Sequence, residues 1–355
     1  MAERSQPGAR PGAGRRRGPA VQSCSEWARS QKLDPVGTAG RYRGFLLVEQ
    51  PLPWPANVSD ASELTELVDV AARAELRVQL VRAVGDQKLG DPADGVTGSR
   101  TAVGQPDDGL RRLRFYRQPQ ASPAKGTGWA GTLVLSEVTA PVGVLARVAA
   151  EVLAERPADP CAGGRGAGRT DRAGPVDVLV CTHGRRDACC GSLGTGLVAS
   201  LREQPLERPP GQVRLWRTSH TGGHRFAPTA IVLPSATVWA RADAALLEKV
   251  VNANGPLDDV LPRFRGSACL GWPAQQALER AVLAEVGWAL LRCRRRALDL
   301  GQGRARLETE GLGSWDAVVS EGRRVPQPEC RTDPALARKF SVEWLVEDLH
   351  RVCPG

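Results

Sequence analysis

A short apolar run of buried-strand type, Val176-Asp-Val178-Leu179-Val180, ends on Cys181, and the stretch from there to His224 gathers three of the chain's four histidines. It reads Cys181-Thr-His183-Gly-Arg-Arg-Asp187-Ala-Cys189-Cys190-Gly191 and closes on Ser219-His220-Thr-Gly222-Gly223-His224-Arg225-Phe226-Ala227. A helical segment, about Gly194 to Glu203, and a strand, Val213 to Trp216, separate the two loops. A fold that brings these loops together assembles soft thiolates and borderline imidazoles. Such donors suit zinc or an iron-sulfur cluster and not a hard cation such as magnesium or calcium.

The rest of the chain supplies the scaffold. Length alone, at 355 residues, favours two lobes. Arg43 to Glu49 is strand-like, Ser59 to Ala74 carries Leu64, Leu67, Val68 and Ala71 at helical spacing, and Leu76 to Val81 alternates like a half-buried strand. Strands at Leu113 to Tyr116 and Thr132 to Val138 and a helix at Val142 to Ala154 complete a first α/β lobe over 22–155. The Gly-rich stretch 156–174 has too few large apolar groups to form an element and reads as a linker. A second lobe over 175–295 adds a hairpin, Ala230 to Leu233 with Thr237 to Ala240, and helices at Ala244 to Asn252 and Ala274 to Cys293. An extension over 296–355 alternates weakly at Ala305 to Glu308 and Trp315 to Ser320, with a last helix expected near Val342 to Arg351. Residues 1–21, rich in Gly, Pro, Ala and Arg, read as a disordered basic tail. No internal repeat is evident by inspection.

Charge and cysteine usage narrow the function classes. The formal charge of +9 is almost all arginine spread along the chain, lysine occurring only at Lys32, Lys88, Lys125, Lys249 and Lys339. No basic helix is interleaved with aromatics, so no nucleic-acid partner is expected. Nine cysteines, none in a Cys-x-x-Cys pair, do not make a disulfide framework. No signal-type apolar segment and no run of about 18 apolar residues occurs, so a cytoplasmic protein without a membrane span is expected.

Within the ligand-rich stretch, Cys181-Thr-His183 looks like half of a Rieske site, but no Cys-x-x-His follows downstream. Four plausible ligands stand out instead: Cys181 and Cys190, nine positions apart, and His220 and His224, four apart. Gly222 and Gly223 disfavour a helix between the histidines and let the backbone pass close to a bulky centre. Cys189 is an alternative to Cys190, since only one of an adjacent pair can point back at the metal of Cys181 without strain. His183 is either a further ligand or a group that supports one. Arg186 and Asp187 read either as a loop-fixing ion pair or as charge placed beside the centre. Cys24, Cys161, Cys269, Cys293, Cys330 and Cys353 have no partnering histidine and read as buried or reduced thiols.

The motifs Cys181-x-His183-x-x-Arg186-Asp187-x-x-Cys190-Gly191 and His220-x-x-Gly223-His224-Arg225-Phe226-Ala227 resemble those of the sucrase/ferredoxin-like family. Cys24-Ser25, Asp34-Pro35-Val-Gly37-Thr38-Ala39, Phe45 to Glu49 with Pro53-Trp54, and Phe264-Arg265-Gly266 resemble its bacterial, actinobacterial-type members, so the likeness runs over about residues 24–295. Ala-Pro228-Thr229 after Phe226 departs from the pattern at the loop exit. The resemblance implies an α/β chain of two lobes, the second a thioredoxin-like ferredoxin domain with a central mixed sheet flanked by helices. It implies a [2Fe-2S] cluster with Cys181 and Cys190 on one iron and His220 and His224 on the other. With two thiolates the site is neutral when oxidised and singly negative when reduced, so its potential lies above that of four-cysteine ferredoxins. Such a protein transfers single electrons with a redox partner protein, or senses redox state, a reading favoured over that of a stand-alone enzyme.

Two other readings use the same residues. A Cys2His2 zinc site would tie the two loops together, though neither motif has the short Cys-x-x-Cys spacing of closed zinc sites. A thioredoxin-like thiol oxidoreductase would use Cys181, Cys189 or Cys190, though vicinal cysteines form strained disulfides and no Cys-x-x-Cys opens the helix. Glycosidase chemistry finds no recognisable carboxylate pair.

Overall fold

The computed structural model describes residues 23–84, 109–119, 128–155, 175–208, 211–328 and 332–352. The tail expected over 1–21 and the linker over 156–174 lie outside the described residues.

A β-α-β unit opens the first half. Strand β1 (Gly44–Glu49), helix α2 (Thr65–Arg73) and strand β2 (Leu76–Ala83) follow a short α1 (Cys24–Ser30), and β1 and β2 are parallel. Strand β3 (Leu110–Arg117) then pairs antiparallel with β1, β5 (Val134–Pro141) pairs antiparallel with β3, and α3 (Leu145–Ala154) follows; β4 (Gly128–Ala130) goes to another sheet. The apolar face Leu46, Val48, Leu80, Leu113 and Phe115 packs against Leu67 and Ala71 of α2 and Leu145 and Ala149 of α3.

The second half repeats this order. Strand β6 (Val176–Cys181), α4 (Thr195–Glu203) and β7 (Val213–Thr218) form a parallel β-α-β unit, β8 (Ala230–Leu233) is antiparallel to β6, β9 (Thr237–Trp239) is antiparallel to β8, and α5 (Ala244–Asn252) follows. Each half therefore lays a β-α-β unit beside an antiparallel pair, the pattern of a thioredoxin-like unit. The halves share one nine-stranded sheet, order β10-β9-β8-β6-β7-β2-β1-β3-β5, closed at the outer end by β10 (Phe264–Ser267). The seam is the antiparallel pair β2–β7, where Val81 faces Thr218. This repeat of topology escaped the sequence reading because no residue-level similarity carries it.

A buried polar cluster crosses the seam. Asp177 of β6 accepts two hydrogen bonds from Arg214, at 2.5 and 2.7 Å, one from the Trp216 indole at 2.8 Å and one from the Tyr116 hydroxyl of the first half. Arg114 of β3 pairs with Glu49 and Glu137 and lies over the Trp216 ring. Substituting Asp177→Ala leaves the buried Arg214 guanidinium with only Glu137, at 3.2 Å and shared with Arg114, as counter-charge, and the loss of its buried partner costs about 3–5 kcal/mol. The expected result is a large fall in the urea midpoint of the whole chain followed by circular dichroism, and a midpoint within error of the parent would refute it.

The extension forms a second, antiparallel sheet, order β14-β13-β12-β11-β4, from β11 (Arg295–Gly301), β12 (Arg304–Thr309), β13 (Gly313–Gln327) and β14 (Lys339–Val352). The helix expected near Val342 to Arg351 is thus strand β14: its apolar residues fit a helical period, but β13 supplies a long antiparallel partner, and pairing overrides the local pattern. The helix expected over Ala274 to Cys293 is also divided, into α6 (Pro273–Val286) and α7 (Ala289–Arg292), at Gly287 with φ +71°. Helix α6 packs Leu278, Val282 and Leu283 in one core with Leu307, Trp315 and Val319 of this sheet. Among the described residues, no helix is long and apolar enough to cross a membrane.

Candidate metal centre

Both ligand-bearing loops leave the sheet at one end. In β6 and β7 the last residues, Cys181 and Thr218, are register partners, so the cysteine loop after β6 and the histidine loop after β7 start side by side. The cysteine loop coils back so that Asp187 N–H donates to His183 O at 3.1 Å and Gly191 N–H donates to Asp187 O at 3.0 Å, and a π-helical turn, Cys190–Gly194, leads into α4. Such turns widen the helix and are frequent at functional sites. Close approach is obligatory here: a Cβ on Gly194 would lie 1.9 Å from the Cys181 carbonyl oxygen.

The histidine loop is pinned from three sides. Arg77 donates to the His220 carbonyl at 3.0 Å, and the Thr221 and Thr229 hydroxyls are 2.8 Å apart. Arg265, fully buried, donates to Gly222 O at 3.0 Å and to Thr38 Oγ1 at 2.9 Å. Gly223, at φ +71°, lies so close that a Cβ would meet the Arg265 guanidinium at 2.5–2.9 Å. The Asp34 to Ala39 and Phe264 to Gly266 segments singled out in the sequence thus meet at the histidine loop. Burial pushes Arg265 down to about 9, with the like charge of Arg225 adding to the effect.

Donor atoms of Cys181, Cys190 and His220 all lie within 4.8 Å of one another. Cys181 and Cys190 are buried, and the His220 side chain is 23% exposed. The hydrogen bond from Cys190 holds the Cys181 thiol well below its usual range, with His220 adding to it, while the same bond raises Cys190. Burial alone would lower His220, but its contacts with Asp187 and Cys181 prevail and push it up to about 9. Its Nδ1 is 2.9 Å from Asp187 Oδ2. Burial works against ionisation of Asp187, yet the same contact and the charge of His224 leave its carboxyl below the usual range. A cysteine biased toward thiolate, a histidine biased toward its protonated form and a carboxylate biased toward ionisation therefore stand together, with a second thiol beside them.

The other candidates are placed differently. His224 lies outside the close group: its ring centroid is 6.4 Å from that of His220, and its Nδ1 is 3.0 Å from Cys24 Sγ and 3.5 Å from Asp187 Oδ1. His183 is buried, packs edge-on to Trp54, and accepts the His220 backbone N–H on Nδ1 at 3.2 Å, which orients the first histidine. Cys189 points to Cys24, Sγ to Sγ 3.4 Å, and both are buried in a cluster with Cys181, Cys190 and Ala227. Arg186 donates to the Asn57 side chain. The sequence reading missed Cys24 as a neighbour of the site, and also Asn57 and Arg77, because none sits in a ligand motif; only contacts across the fold reveal them. A cleft of 340 Å³ lined by Asn57, Arg77, His183, Arg186 and His220 opens beside the group.

The sucrase/ferredoxin-like family matches the chain over residues 35–266, a span that holds Cys181, Cys190, His220 and His224. No curated protein and no solved structure gives a match. Both ligand motifs, Pro35 to Ala39 and Phe264 to Gly266 fall within the matched span and meet around one end of the sheet. The chain belongs to the sucrase/ferredoxin-like family.

Proposed function

We propose that Cys181, Cys190, His220 and His224 hold a [2Fe-2S] cluster and that the protein carries single electrons or reports redox state through it. The observation that carries this reading is the convergence of the Cys181, Cys190 and His220 donors within 4.8 Å, two of them thiols, at the end of a sheet shared by both halves. Bound there, the cluster supplies one-electron chemistry at a potential raised by its two neutral ligands.

The surrounding side chains have separable tasks. Cys181 is biased toward thiolate, chiefly by its hydrogen bond with Cys190, which lowers the cost of deprotonating it for a metal. Asp187, beside the His220 Nδ1, fixes the ring and raises its basicity, the role a carboxylate plays behind a metal-bound histidine. His183 and Arg77 hold the His220 backbone from either side, and Arg265 holds the glycines that follow. His224 completes the set by motif spacing; to bind, it either gives up the Cys24 contact at Nδ1 or uses its other ring nitrogen. The cleft lined by Arg77 and Arg186 gives a redox partner with an acidic surface a route to the exposed edge of His220.

The test is anaerobic purification followed by electron paramagnetic resonance of the reduced protein. A coloured protein with about two iron and two sulfide per chain and a signal of histidine-ligated type is expected. Colourless protein with stoichiometric zinc would replace this reading by the structural zinc site.

A further inference from the structure

We propose that Cys24 and Cys189 form a second redox centre, a reversible dithiol–disulfide pair beside the metal ligands. Four thiols crowd this end of the sheet, and the described cysteines are all reduced. If iron takes Cys181 and Cys190, as in the function proposed above, Cys24 and Cys189 remain as neighbours at 3.4 Å, although they are 165 residues apart in sequence. A disulfide needs about 2.05 Å between the sulfurs, so the two have little more than 1 Å left to close. The two residues also sit on separate elements, Cys24 on the first turn of α1 and Cys189 immediately before the π-helical turn, so no vicinal strain arises. Cys189 is 6% exposed and Cys24 is fully covered, which makes Cys189 the point of attack.

The step balances with a low-molecular-weight disulfide, such as oxidised glutathione, as oxidant. The Cys189 sulfur attacks the disulfide, forms a mixed disulfide and releases one glutathione thiol. The Cys24 sulfur then attacks the Cys189 sulfur, forms the Cys24–Cys189 bond and releases the second. Two protons leave the protein with the two glutathione thiols, the protein dithiol is oxidised by two electrons, and the glutathione disulfide is reduced by the same two. The bond staples α1 to the cysteine loop and draws Cys24 away from His224 Nδ1, its present 3.0 Å neighbour. A two-electron thiol couple is thereby wired to the surroundings of a one-electron centre.

The experiment equilibrates the metal-loaded full chain anaerobically in graded mixtures of reduced and oxidised glutathione, blocks remaining thiols, and maps tryptic peptides while iron and sulfide are assayed. The expected result is a cross-link between the peptide holding Cys24 and the peptide holding Cys189. It should be reversed by dithiothreitol and absent in both Cys24→Ser and Cys189→Ser, with iron content unchanged. A cross-link through Cys190 accompanied by loss of iron, or no cross-link at any ratio, overturns the proposal. Lowered iron and sulfide in Cys24→Ser would make Cys24 a ligand and overturn it as well. A Cys24–Cys189 link in a protein that holds no iron supports the dithiol while removing the cluster, so the two proposals fail separately.

Discussion

Gly194→Ala is expected to abolish metal loading and to lower stability by about 3 kcal/mol. In a helix this substitution normally stabilises by up to about 1 kcal/mol, because alanine restricts the unfolded chain and favours the helix. Here the new methyl would sit 1.9 Å from the Cys181 carbonyl oxygen, and that oxygen belongs to the strand end that delivers the first ligand. Neither side has a flexible tip to yield: one is a helix backbone, the other the last residue of β6. The clash therefore outweighs the propensity gain, and relief has to move Cys181 away from Cys190 and His220. Metal content per chain and the urea midpoint check this together. A stabilised, fully loaded variant would show that the loop has slack that the structure denies it.

Metal binding at this site should strengthen by about 100-fold per pH unit between pH 6 and 8, since two protons have to leave. The sign follows from the ligands. His220 is pushed up to about 9 and Cys190 is raised above its usual range, so each has a proton to lose on binding, whereas Cys181 is lowered toward thiolate by its Cys190 hydrogen bond. Raising the pH lowers the cost of removing both protons, and acid favours the metal-free form. Cobalt(II) titrated into stripped protein and followed by its d–d absorption reads the slope directly. Asp187→Asn removes the carboxylate beside the His220 Nδ1 and with it the largest of the effects that raise His220, leaving those of Cys181. The dependence should drop toward about tenfold per unit. A slope unaffected by the substitution would take His220 out of the ligand set.

Elements with a strong local pattern were legible from the sequence alone. Ala244 to Asn252 reads as a helix and is one, with Asp243 capping its first turn, and the apolar run ending at Cys181 reads as a buried strand and is one. The hairpin at Pro234-Ser235 is likewise written locally. What the sequence conceals is decided by partners far along the chain. Strand β14 has apolar residues at helical spacing and is extended because β13 lies alongside it. The short α1 carries a capping box, Ser23 with Glu26, but its importance comes from placing Cys24 against His224 and Cys189. At the site, the motif spacings pick out three residues whose donors converge, Cys181, Cys190 and His220, and a fourth, His224, that stands apart from them. They do not reveal that Asp187 stands behind His220 or that Arg265 clamps the glycines from another strand.

The seam between β2 and β7 also limits what the chain can be divided into. Each of these strands pairs its edge with the other half, and severing the halves would leave the backbone N–H and C=O groups of that edge unpaired. The pairing runs through Val81–Thr218, Arg82–Arg217 and Ala83–Trp216, so a severed half would present this edge as an open template. Such a half would recruit the missing half or, failing that, a second copy of itself across the same line. The covalent fusion of the halves thus acts as protection against promiscuous strand addition.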